Sequence, residues 1–141
     1  MKFDWSSYLE VAQTLYDEVI SPSSQASASI NEAKIRSCIS RAYYSAFCLT
    51  RNYLRDIEGY NNLRTLKVAV HDYVIQEFLN KTERDLRNLG ETLERLRLLR
   101  VEVDYKDHIA PNLLISKAKL AIKDAKNVVQ LLDKLTSSQK S

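Results

Sequence analysis

The stretch "RVEVDYKDH", Arg100 to His108, places an arginine, a tyrosine and a histidine close together. An arginine fork grips a phosphate through two parallel hydrogen bonds. An imidazole moves a proton near neutral pH. Cutting RNA without a metal needs those two services: phosphate charge offset, and a proton taken from one oxygen and given to another. Tyr105 follows Arg100 with four residues between them, and an ordinary phenol, with a pKa near ~10, is a poor base at neutral pH. His108 follows with seven between. The same residues also read as a helix end, where Arg100 pairs with Asp104 or Tyr105 and fixes an interface.

A second constellation is Arg41, Tyr44, Cys48, Arg51 and Arg55. They recur at helical spacing along one face. Arginines with an interleaved tyrosine suit phosphates and base stacking, and equally a solvated face or a dimer contact. His71 sits beside Val70 and Val74 and reads as a surface or satisfied core histidine that can join a polar network with Asp104. Lys119, Lys123 and Lys126 form a basic stripe that reads as a solvated face. The sequence has no P-loop, no GxGxxG and no nucleophile elbow. Cys and His show no zinc-like spacing, so neither metal nor cofactor is expected.

These residues need helices to position them. The chain has 141 residues, enough for one domain with one core, and only two glycines and two prolines. A first amphipathic segment carries Trp5, Leu9, Ala12, Tyr16 and Val19, with Asp4 as its cap. Residues 21–29 read as a mobile polar loop. Ser29 and Glu32 match a capping box that opens a long helix from Ile30 to Glu58, stopped by Gly59. Its inward face holds Ile35, Ile39, Ala42, Tyr43, Ala46, Tyr53 and Ile57. A third helix is expected over Leu63–Leu79 and a fourth over Thr82–Arg100, with Glu91 and Arg95 as an i,i+4 pair. Val101–Ala110 reads as a turn. Pro111 opens a last helix to Leu135, with Val129 on its core face, and residues 136–141 read as a frayed tail. The fold class is all-α, an up-and-down bundle of about five helices in one domain over residues 1–141.

A net charge of +3 permits contact with nucleic acid without demanding it. The N-terminus has no signal-peptide pattern and no run reaches the ~18 apolar residues of a membrane span. Cys38 and Cys48 point to different sides of one helix and cannot bridge within it. A reducing cytoplasm is the expected setting.

Two segments, "SRAYYSAFCLTRNYL" and "LRLLRVEVDY", together resemble the HEPN superfamily, in particular its small stand-alone prokaryotic members. Those carry an RAYY segment in a long second helix, an H-x-G-V-I-x-x-F-like stretch, and an arginine followed by Asp-Tyr before the last helix. Here the middle stretch is "HDYVIQEF", with Tyr73 where glycine is common. The resemblance implies a helical bundle that pairs as a homodimer. It implies RNA as a ligand, and metal-independent endoribonuclease activity in toxin–antitoxin or defence modules, or a non-catalytic scaffold for an antitoxin or nucleotidyltransferase-type partner protein. The active relatives use R-x(4–6)-H. This chain departs from that spacing, so the resemblance carries over Arg100 more directly than His108, with Tyr105 in the usual histidine place.

Overall fold

The computed structural model describes residues 2–140. Five α-helices form the bundle: α1 (Ser7–Ile20), α2 (Ala28–Asp56), α3 (Val70–Leu79), α4 (Arg84–Tyr105) and α5 (Pro111–Lys140). A 3-10 turn, Asn61–Arg64, stands between α2 and α3, and no strand occurs among the described residues.

The long helix α2 is the centre, packed on by α1, α4 and α5. Its apolar face explains this: Ile35, Ile39, Ala42, Tyr43, Ala46, Phe47 and Leu54 are all buried. Cys38 and Cys48 are buried on α2 as free thiols. Helices α2 and α5 run parallel. Ala28 and Ile35 meet Pro111 and Leu114 at one end, and Tyr53 meets Leu132 near the other. Helix α3 packs mainly on α4. Gly90 makes that approach close, because a Cβ there would lie 2.8 Å from the Leu79 backbone nitrogen.

Several boundaries differ from the sequence reading. Asp4 does not cap α1 directly. Its carboxylate accepts from the Ser6 backbone N–H and hydroxyl, one turn ahead of the helix. Helix α2 starts earlier than Ile30, because Ser27 lies in extended backbone and its hydroxyl accepts from the Ile30 N–H at 3.2 Å. Ser29 is therefore inside the first turn, and Glu32 turns to Arg36 instead of closing a capping box. At the other end Gly59 stops α2 as expected, in the left-handed region at φ 79°. Ile57 is exposed there instead of joining the core.

The expected third helix is split. Leu63 buries in the 3-10 turn, and Ala69, at φ 54°, restarts the chain as α3. No glycine or proline announces this break, so a helical period runs through it in the sequence. The fourth helix begins at Arg84 and does not stop at Arg100. Val103 is buried on the continuing stripe of Leu89, Leu93 and Leu96, so the presumed turn contributes another helical turn to Tyr105. Arg95 leaves Glu91 and bonds Asp124 of α5 at 2.9 Å. In α5, Val128 takes the fully buried place, and Val129 is half-buried. The backbone stays helical to Lys140, past the expected end at Leu135, and Ser141 lies outside the described residues.

Candidate phosphate-binding site

Arg100 faces α2, as its place four residues after Leu96 implies. Only 14% of its side chain is exposed. The guanidinium carbon lies 5.5 Å from the ring centroids of both Tyr43 and Tyr44. Two aromatic faces attract the cation and replace part of its lost water. Asp104, one turn on, accepts from Arg100 Nη1 at 3.4 Å and from the Ser40 hydroxyl at 2.8 Å. Arg100 Nε is buried without a hydrogen-bond partner. The guanidinium is thus positioned firmly but keeps unused donor capacity.

His71, at the start of α3, reaches the same place from another side. Its Nδ1 and the Tyr43 hydroxyl share a 2.5 Å hydrogen bond. Its ring stacks on Phe47 with centroids 4.1 Å apart. Burial, then the charges of Arg97 and Arg100, push its pKa down to about 4. Burial also pushes the Tyr43 phenol up, so both partners are neutral near pH 7. Arg97, three residues before Arg100, forms an ion pair with Asp72 beside His71. The structure therefore gathers Arg97, Arg100, His71, Tyr43 and Tyr44 from three helices.

It does not gather His108 and Tyr105 with them. Tyr105 is 76% exposed at the end of α4. His108 is exposed in the connection to α5 and makes no hydrogen bond or ion pair among the described residues. That connection is held by a residue the sequence reading passed over. Arg36 donates to the carbonyls of Val103 and Lys106 at 2.7 Å and of Asp107 at 3.2 Å. Val103 is among the carbonyls a helix leaves unpaired in its last turn, and Lys106 and Asp107 lie just past the helix end.

The arginine stripe of α2 is not one open face. Tyr44 turns in toward Arg100, and Cys48 is buried. Arg41 lies over Tyr8 at 4.8 Å and Arg51 over Trp5 at 5.6 Å. Phe3, Trp5 and Tyr8 pack edge to face as a small aromatic cluster on this side of α2. Arg55 donates through Nε and Nη2 to Asp56, whose carboxyl is held well below the usual range by that bond. Beside Arg97, a groove of about 350 Å³ runs between α3 and α4, lined by Ile75, Leu98 and Val101 among others. Leu98, Val101 and Tyr105 form an exposed stripe along α4. Among the described residues no group of three or more His, Cys, Asp or Glu could hold a metal ion, and no helix is long and apolar enough to cross a membrane.

An all-helical bundle with a tyrosine-flanked arginine between its second and fourth helices defines the class. The HEPN domain model matches residues 21–135, most of the chain, and the protein belongs to the HEPN family. No curated protein and no solved structure matches the chain significantly.

Proposed function

We propose that this HEPN protein acts on single-stranded RNA as a homodimer within a toxin–antitoxin or defence module. The observation that carries this reading is the Arg100 guanidinium, set over Tyr43 and Tyr44 and close, with Arg97, to His71. Arg97 and Arg100 grip the phosphodiester. Its negative charge offsets the two guanidinium charges that depress His71, and the imidazole gains basicity when substrate is bound. Tyr43 fixes the ring orientation. His108 and Tyr105 lie on exposed backbone near the α4 end, where a second copy can bring them to the partner's Arg100. The exposed Leu98, Val101 and Tyr105 stripe suits such a contact.

The test is cleavage of single-stranded RNA by purified protein with a chelator present. Arg100→Ala and His71→Gln each abolish cleavage on this reading. Full activity in Arg100→Ala would exclude the site. Cleavage lost in His108→Gln but kept in His71→Gln would move the proton-transfer role to His108.

A second reading is a non-catalytic scaffold for a nucleotidyltransferase-type or other partner protein. The Arg100–Asp104 ion pair favours it, since a paired arginine suits an interface-fixing network. It predicts no cleavage, and a stable dimer that co-purifies with its partner.

A further inference from the structure

The basic stripe of α5 has an unexpected setting. Lys119, Lys123 and Lys126 border a groove of about 390 Å³ between α5 and α1, together with Gln13, Tyr16 and Asn127. No carboxylate lines it. Asp124, the acid between the lysines in sequence, is buried on the other side of α5 and bonded to Arg95. The three lysines are exposed and form no ion pair among the described residues. Lys126 donates to the Gln13 side-chain carbonyl at 3.1 Å, which ties the two walls together. On the far side of Gln13, Asp17 accepts from its amide at 2.9 Å.

We infer that this α1–α5 groove is a binding track for single-stranded RNA, separate from the Arg97–Arg100 cluster. Seven residues of helix from Lys119 to Lys126 span about 10 Å, long enough for more than one phosphate. The unpaired ammonium groups supply the sequence-independent attraction that releases counterions. The cleft supplies what a bare lysine patch lacks. Tyr16 and Ile122 offer a ring and an apolar floor to an unstacked base, and Asn127 and Gln130 offer amides to its edges. A duplex or a bilayer is too broad to enter the cleft and would reach only the lysine tips. The choice of RNA rests on the proposed function. The groove lies between α1 and α5, away from the cluster on α2, α3 and α4, so it affects binding rather than chemistry.

The test is fluorescence anisotropy with a labelled uridine-rich RNA of about 12 nucleotides. The full chain is compared with a Lys119→Gln, Lys123→Gln, Lys126→Gln variant, whose fold is checked by its thermal melt. Affinity falls by about tenfold or more at low salt, and the slope of log affinity against log salt flattens by about two, at ~0.7 per lost phosphate contact. A Tyr16→Leu variant weakens binding of the single strand and leaves duplex binding unchanged. Unchanged affinity and salt slope in the triple variant would overturn the proposal. So would equal binding of duplex RNA, or lysine-dependent binding to phosphatidylserine vesicles in place of RNA. The Arg100→Ala protein separates the two readings. If it has lost cleavage but binds RNA normally through the lysines, both stand. If no variant and no substrate shows cleavage yet the lysines govern RNA affinity, only the catalytic reading fails.

Discussion

Tyr43 of α2 and His71 of α3 share a 2.5 Å hydrogen bond across 28 residues of sequence. A neutral imidazole either accepts the phenol's O–H at Nδ1 or donates its own N–H to the phenol oxygen. Burial, and then the charges of Arg97 and Arg100 beside it, favour the neutral ring.

The first prediction is a pH dependence. His71 has a folded pKa of about 4, below the ordinary 6.5. The unfolded chain therefore binds more protons between those values, and stability rises with pH across them. The contribution of His71 is fully present above about pH 6.5, falls as pH drops toward 4, and is spent below that. Urea unfolding at a series of pH values checks the slope, and His71→Gln flattens it in this window. RNA bound at Arg97 and Arg100 raises the His71 pKa, which an NMR titration of the imidazole would detect. A pKa unmoved by RNA would count against phosphate binding there.

The second concerns Gly90. A Cβ at this position meets the Leu79 nitrogen at 2.8 Å and Phe78 at 3.1 Å, and backbone cannot yield as a side chain tip can. Gly90→Ala forces α3 away from α4 and costs about 1–3 kcal/mol, despite the better helix propensity of alanine. The same shift draws His71 away from Arg100, so any cleavage under the function proposed above falls with stability.

Arg36 gives a third. Its guanidinium ties the last turn of α4 to the connection after it through three carbonyls, and charge-assisted bonds of this kind matter more than neutral ones. Arg36→Ala destabilises the protein by about 2 kcal/mol, while Arg36→Lys restores only part, because an ammonium lacks the planar fork. Amide exchange localises the effect: the last turn of α4 and residues 106–110 open faster, with the core of α2 unchanged.

The fourth tests the Arg95–Asp124 bridge. Asp124 is 6% exposed and Arg95 49%, so the two single changes are unequal. Arg95→Ala leaves a buried carboxylate unpaired and costs more, about 2–3 kcal/mol after allowing for its exposed partner. Asp124→Asn frees an arginine that reaches water, and costs about 1 kcal/mol. Equal losses in a chemical denaturation series would show that Asp124 is not desolvated.

The fold was legible where period and burial agree. Leu89, Leu93 and Leu96 announced their helix, and the inward turn of Arg100 followed from its place after Leu96. The burial of Ile35, Ile39, Ala42 and Tyr43 followed from their spacing on α2 in the same way. Helix ends were less legible. Ser27 and Ser29 are both plausible caps in sequence, and only the extended backbone at Ser27 selects it. The break before α3 was invisible, because Leu63 and Ala69 take their conformations from packing rather than from a turn residue. The site was half legible. Arg100 and Asp104 come together as their spacing implied, whereas Tyr44, read on the outward arginine face, turns in to Arg100. His71 reads from the sequence as a surface or a satisfied core histidine; its bond to Tyr43 fits the second, and its nearness to Arg97 and Arg100 depends on how α3 lies on α4. Arg97 was readable in principle, since it lies three residues before Arg100 on the same face. Arg36 was not, because its partners are carbonyls, which have no sequence identity.

The two free thiols of α2 turn the central helix into a recorder of its own opening. Cys38 is fully enclosed and its pKa is pushed up to about 12 by burial and then by Asp17; Cys48 is raised by burial against the opposing charge of Arg51. Alkylating reagents attack the thiolate, so neither residue reacts while α2 stays packed. Labelling therefore follows excursions in which α1 or α5 lifts from α2, and its dependence on reagent concentration separates the equilibrium of opening from its rate. Each thiol reports a different turn of the same helix, with no probe added to the protein.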